Sequence, residues 1–322
     1  MRGYTAGIIR HRPARIDRSI ITPMFAQQII NGVALGAVYA LLALGYTMVY
    51  GILQLINFAH GEVYMLGAYL GIIVLGALTA PGMHLGIATA LTLSLLITML
   101  FCGAYGAMIE RVAYRPLRRA AKLSPLISAV GMSIILQNFV MLAQGKEYKF
   151  LPPLLEAEGF SLFGARVSPV EIIILGTSLT LMTGLHLFIS RTRLGKAMRA
   201  TSQDMTMAGL VGINSNRVIS ITFIIGSALA AVAGVLVTLY YGVVHFFMGY
   251  TAGLKAFTAA VLGGIGSIPG AMLGGVVLGL IENFGASYVS SVYKDAFAFV
   301  VLIVTLIIRP SGLLGQKNLD KV

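Results

Sequence analysis

The chain has 322 residues, of which 57% are hydrophobic and only 11% charged, and its mean hydropathy is +0.89. One soluble globule cannot hide that much apolar surface, so the composition excludes a soluble enzyme or binding domain and predicts a polytopic membrane protein. The net charge of +12 does not indicate nucleic acid as a partner. Of 23 Lys and Arg, 18 fall in residues 1–18, 111–122, 191–217 and from Arg309 onward, short basic segments between apolar spans that mark the cytoplasmic face.

Residues 1–23 form a polar, Arg-rich N-terminal extension. They are not a secretory signal, because the apolar run that follows is too long and has no small-residue cleavage pattern, and Met24 is a candidate start. Crossing a bilayer core takes roughly 20 helical residues. Spans of that order run over 24–50, 57–78, 85–109, 124–144, 170–190 and from Arg217 to Tyr241. Residues 111–122 carry five basic groups, placing that loop inside, whereas 145–168 balances Lys146, Lys149 and Arg166 against Glu147, Glu156 and Glu158 and reads as the outer loop. Beyond Tyr241 a Gly-rich segment with Pro269 predicts a broken or re-entrant helix around 252–275, and the last apolar run, 296–308, is short. The expected fold is all-α, about eight transmembrane helices with broken or re-entrant segments, over a membrane domain of residues 24–316 and a polar tail at 317–322.

One piece of this topology stays open. Three spans separate the basic N-terminus from the basic 111–122 loop, which puts them on opposite faces. Either residues 1–23 carry no topological weight or the chain crosses once more between 24 and 78. The strings 61–71 and 270–279 look alike, as inverted repeats often do. Gly32 with Gly36 and Gly275 with Gly279 have the small-xxx-small spacing of close helix packing, and the single cysteine, Cys102, reads as a packing residue.

The basic island Arg191–Asn214 lies between two spans. Taken as helix from Arg193, it puts Leu194, Ala197, Met198 and Thr201 on one face and Lys196, Arg199 and Gln203 on the other. Thr201 or Ser202 is the expected cap of a second short helix, with Asp204 in its first turn and Gly212 closing it in a left-handed conformation. The stretch reads either as an interfacial loop serving topology or as a lever. Ionisable groups at membrane depth each need a reason. Glu62, with His60 and Asn57 beside it, and Lys255 and Glu282 read as a polar translocation path or as internal pairs holding broken helices. Glu171, Lys294 and Asp295 sit at span ends and read as interfacial; His84, His186 and His245 read as packed or interfacial.

Several segments together carry a resemblance: Ile56-Asn-Phe-Ala-His60-Gly-Glu62, Ile109-Glu-Arg-Val-Ala-Tyr-Arg-Pro116, Gly195-Lys-Ala-Met-Arg199-Ala-Thr-Ser-Gln-Asp204 followed by Ala208 and Gly212, and the glycine-rich run Lys255 to Gly270. The chain resembles ABC importer permeases of the branched-chain amino-acid type, the LivH family, over about residues 25–316. The Arg-rich extension and a rather short outer loop depart from the pattern. The resemblance implies a multi-pass subunit of the bacterial cytoplasmic (inner) membrane, not itself an enzyme. Its implied partners are a second homologous permease, two cytoplasmic ATPase subunits that hold ATP and Mg, and an extracytoplasmic binding protein. The sequence has no G-x-x-x-x-G-K-[ST] phosphate cradle, so ATP hydrolysis would fall to another chain. The implied coupling loop is 191–214, with Arg199 and Asp204 as polar contacts and Leu194, Met198 and Leu210 as apolar anchors; Gly195, Lys196, Ala208 and Gly212 complete the motif. Branched-chain amino acids are the implied cargo. Urea, amides or aromatic acids within the same class, and an ion-gradient-driven secondary transporter with Glu62 and Glu282 as proton sites, are the alternatives.

Overall fold

The computed structural model describes residues 18–81, 85–118, 120–121, 123–155, 159–162 and 164–315. Five helices fill the first part: α1 (Arg18–Leu53), α2 (His60–Leu78), α3 (Ile87–Ile109), α4 (Leu123–Gln144) and α5 (Pro169–Arg191). Two short helices follow, α6 (Arg193–Gln203) and α7 (Met205–Leu210). The rest is α8 (Ser215–Tyr241), α9 (Met248–Gly263), α10 (Ile268–Tyr288) and α11 (Lys294–Ile308). Strands are vestigial: β1 (Lys149–Phe150) pairs with β4 (Val243–Val244), and β2 (Phe160–Leu162) with β3 (Ala165–Val167). Among the described residues, eight helical stretches are long and apolar enough to cross a membrane. Glu171 is part of a capping box: Ser168 Oγ accepts from its backbone N–H while its carboxylate accepts from that of Ser168, so this acid is buried and starts α5.

The side on which each helix begins follows from contacts between distant ends. Gln27 exchanges two hydrogen bonds with the backbone of Arg166 in the outer loop, at 2.8 and 3.0 Å, so α1 starts on the outer side. Its other end meets the basic face, where Tyr114 reaches Asn57 and Ile56 just past α1. The start of α1 and the basic segment 111–118 therefore lie at opposite ends of the bundle, and no additional crossing occurs between 24 and 78; the N-terminal extension, residues 1–17, falls outside the described residues.

The third span runs on past 109. A π turn at Glu110–Tyr114 and a 3-10 turn at Arg115–Leu117 carry it to the inner face. The break predicted near Gly263–Gly270 is a tight turn at the inner end, where Leu313 and Leu314 donate to the carbonyls of Leu262 and Gly263. The interruption at depth comes earlier, at residues 242–247, which dip back from the end of α8 to start α9. At about 1.5 Å per residue, the 16 residues of α9 span less than a bilayer core.

Glycine sets the helix crossings. A Cβ on Gly36 would strike the backbone of Gly275 and Val276, and one on Gly279 would strike Gly36 and Gly32, so α1 and α10 pack backbone to backbone. Gly67 and Gly234 do the same for α2 on α8. The packing pairs include α1 with α10 and α3 with α8, α1 with α9 and α2 with α8, and α1 with α8. This pattern is unchanged when α1, α2 and α3 are exchanged with α8, α9 and α10, helices that run in opposite directions. The two similar strings, 61–71 and 270–279, lie on α2 and α10, which that exchange does not pair.

Candidate functional site

A cavity of about 280 Å³ opens in the outer half of the bundle, at the dip before α9. It owes its position to the β1–β4 pairing, which pulls the outer loop inward and stacks Tyr148 on His245 with ring centroids 4.5 Å apart. Helix α9 presents Met248, Thr251, Ala252 and Lys255 to it, spaced i, i+3, i+4, i+7 on one face. Leu35, Val237, Val243 and Val244 supply an aliphatic wall, and Tyr39, Tyr64 and Tyr241 stand around it.

Charge is concentrated at one end of the cavity. Lys255 Nζ lies 2.8 Å from Glu282 and 2.6 Å from Asp295, and Lys294 Nζ lies 3.5 Å from Glu282 and 2.9 Å from the Tyr241 hydroxyl. Tyr39 donates to Glu282 at 3.1 Å. The two cations and two anions balance, and Glu282 is wholly buried while the Asp295 side chain is 59% exposed. A desolvated ion pair of this kind survives because each charge is matched at hydrogen-bonding distance. Sequence reasoning singled out Lys255 and Glu282, and the structure brings them together. It left Lys294 and Asp295 as interfacial residues, although adjacent opposite charges at the head of a short apolar run were there to be noticed. Tyr39, Tyr64 and Tyr241 gave no signal within their apolar runs.

Asn57, His60 and Glu62 lie around the start of α2, each with partners of its own. His60 is within 3.1 Å of the Leu42 carbonyl and packs edge-on against Tyr46, Asn57 accepts from Tyr114 at 3.0 Å, and Glu62 accepts from Ser133 at 3.1 Å. Gly61 touches Gly249 and Gly253 so closely that no Cβ fits, which lets α2 and α9 meet end to end. None of the three side chains lines the cavity. Among the described residues no three His, Cys, Asp or Glu side chains converge to hold a metal ion.

On the inner face, α6 and α7 fold as two capped helices. Thr192 accepts from the Gly195 N–H at 3.0 Å, and Asp204 Oδ1 accepts from Thr206 and Met207 at 2.8 and 2.9 Å. Asp204 is thus itself the cap of α7; Thr201 is turned inward onto the Ala197 carbonyl and Ser202 onto that of Arg199. Gly212 has φ +85°, the left-handed turn expected of it. Met198 and Ala208 are buried, Leu194 packs on the core, and Gly195 abuts Ile189. These four face the protein's own bundle, so the amphipathic face that carries Leu194 and Met198 packs inside the chain. Lys196 and Asp204 are exposed, Arg199 donates to the Ile189 carbonyl, and the most exposed apolar residues are Met207, Leu210 and Val211, at 60%, 77% and 76%.

Beside this surface Glu110 is fully buried, paired with Arg118 and accepting from Ser220 at 2.6 Å, while Arg118 donates to Asn216 at 2.6 Å. Burial pulls the Arg118 guanidinium below its ordinary range, and the Glu110 carboxylate opposes that shift.

A family profile described as the permease component of the branched-chain amino acid transport system matches residues 28–306. The chain is 52% identical over 305 residues to the high-affinity branched-chain amino acid transport system permease protein BraD of Pseudomonas aeruginosa, covering 92% of this chain and 98% of that one. It is 49% identical over 308 residues to the permease protein LivH of Escherichia coli K12, with the same coverage. A probable branched-chain amino acid transport permease protein of Methanocaldococcus jannaschii is 29% identical over 296 residues, covering 85% of this chain and 88% of that one.

Proposed function

The chain belongs to the branched-chain amino acid transport permease family, and on that premise we propose that it is the membrane-spanning subunit of an ATP-driven importer of leucine, isoleucine and valine. The observation that carries this reading is the near-full-length identity of about half to high-affinity permeases of that name. The outer cavity supports it: an aliphatic wall with balanced charges at one end suits a small apolar amino acid better than urea, which has no apolar body.

The subunit works in the cytoplasmic membrane beside a second, related permease and receives cargo from an extracytoplasmic binding protein. Two ATPase chains, which hold ATP and Mg, dock on the inner face. Exposed Met207, Leu210 and Val211 with Lys196 and Asp204 are the contact surface, and nucleotide-driven movement of α6 and α7 alternates access between the two sides. The cavity opens beside the first turns of α9, next to the strand pairing of the outer loop.

Uptake by the complete importer in proteoliposomes tests this. Labelled leucine should accumulate only with internal ATP, and unlabelled isoleucine and valine should compete while urea and phenylalanine should not. Uptake that follows an imposed proton gradient without ATP would replace this reading with a secondary transporter.

A further inference from the structure

The charged end of the outer cavity has more hydrogen-bonding capacity than its own members use. Lys255 offers three donors and spends them on Glu282 and Asp295, leaving one. Lys294 spends one on Tyr241 and stands at 3.5 Å from Glu282. Asp295, the more exposed carboxylate, is ion-paired with Lys255 at 2.6 Å. Spare donors on two lysines and spare lone pairs on one aspartate therefore face the same space, a few ångströms from the aliphatic wall of Val237, Val243 and Val244. Glu282 stands behind Lys255 and outside the cavity wall, where Tyr39 holds it.

We propose that this cluster is the site at which the permease itself reads the zwitterionic head of its cargo: the α-carboxylate is taken by Lys255 and Lys294 and the α-ammonium by Asp295, with the branched side chain against the valine wall. The proposal rests on the amino-acid importer reading. A zwitterion satisfies both sets of unused groups at once, whereas an amide or a simple carboxylate satisfies one set and leaves the other without a partner. Entry of the ammonium at Asp295 also competes with its bond to Lys255, so occupancy loosens the tie between the start of α11 and α9. Glu282 holds the lysine in place while this happens.

The experiment uses the complete importer in nanodiscs, with Val243→Cys in a Cys102→Ala background as a reporter inside the cavity. Leucine should slow maleimide labelling of that cysteine several-fold, and leucinamide, which lacks the carboxylate, and 4-methylpentanoate, which lacks the ammonium, should not. Asp295→Asn and Lys294→Gln leave the buried Lys255–Glu282 pair intact; both should keep the wild-type thermal midpoint, abolish protection by leucine and raise the KM for uptake more than they lower kcat. Equal protection by all three ligands, or full protection in either variant, overturns the proposal. Leucine uptake by the unmodified importer without any protection overturns the site and leaves the importer standing, whereas absence of leucine uptake by the unmodified importer overturns the reading beneath it.

Discussion

Lys255 Nζ and Glu282 Oε1 stand 2.8 Å apart across the α9–α10 packing, with the glutamate fully buried and its second oxygen unpartnered. Removing one partner of such a pair strands a buried charge, at a cost of about 3–5 kcal/mol, whereas replacing both with apolar groups of similar size is close to neutral. Lys255→Met should therefore lower the thermal midpoint in detergent sharply, and Lys255→Met with Glu282→Leu should recover most of the loss. A double variant no more stable than the single one would show that the pair is not what holds α9 to α10.

Gly279 packs so tightly on Gly36 and Gly32 that a side chain on it meets backbone, which cannot turn aside. Gly279→Val should thus cost at least the ~1–3 kcal/mol typical of overpacking. Gly176 and Gly184 of α5 have open space where a Cβ would stand, and Ala at either should leave the midpoint unchanged. Scanning calorimetry or a fluorescence-detected melt of the three variants decides the matter.

Hydrophobic run length and basic-loop placement made most of the bundle legible in the sequence, because a bilayer enforces both directly. The inward face of α6 was legible from its spacing and the turn at Gly212 from its lone glycine. The cavity was not. It is built where the ends of α8, α9 and α11 meet in space, and Lys294 and Asp295 at the head of a span carry the same sequence signature as interfacial anchors. Length also misled at α9: the Gly-rich run predicts a break, yet which side of the run breaks at depth depends on the β1–β4 pairing across residues 150 and 243. The cap of α7 was misplaced by a few positions because Thr201, Ser202 and Asp204 can all cap, and only the packing of Thr201 against the bundle leaves the role to Asp204.

On the inner face, the exposed and buried apolar residues should separate function from folding. Leu210→Ser with Val211→Ser removes side chains that touch solvent and should keep expression and melting behaviour while reducing cargo-stimulated ATP hydrolysis by the assembled importer at least several-fold. Met198→Ser, at 4% exposure, should instead destabilise the subunit by about 2–4 kcal/mol, as for large-to-small core changes. If the double serine variant retains full ATPase stimulation, the contact with the ATPases lies elsewhere.

Glu110 ties the inner end of the third span to the start of α8, immediately after α6 and α7. One of its oxygens takes Arg118 and the other takes Ser220 at 2.6 Å, and Arg118 carries the link on to Asn216. Glu110→Gln keeps the shape but removes the charge that Arg118 was buried against, so its cost should approach the ~3–5 kcal/mol of a broken buried pair. Ser220→Ala loses one hydrogen bond to a charged group and should cost about 1.5–3 kcal/mol. Because the link closes on the first turns of α8, both variants should raise amide hydrogen exchange at residues 215–222 before they affect α10, and Glu110→Gln more than Ser220→Ala. Faster exchange at α10 first would mean that Glu110 supports the bundle as a whole and that α8 is anchored to α6 and α7 by other contacts.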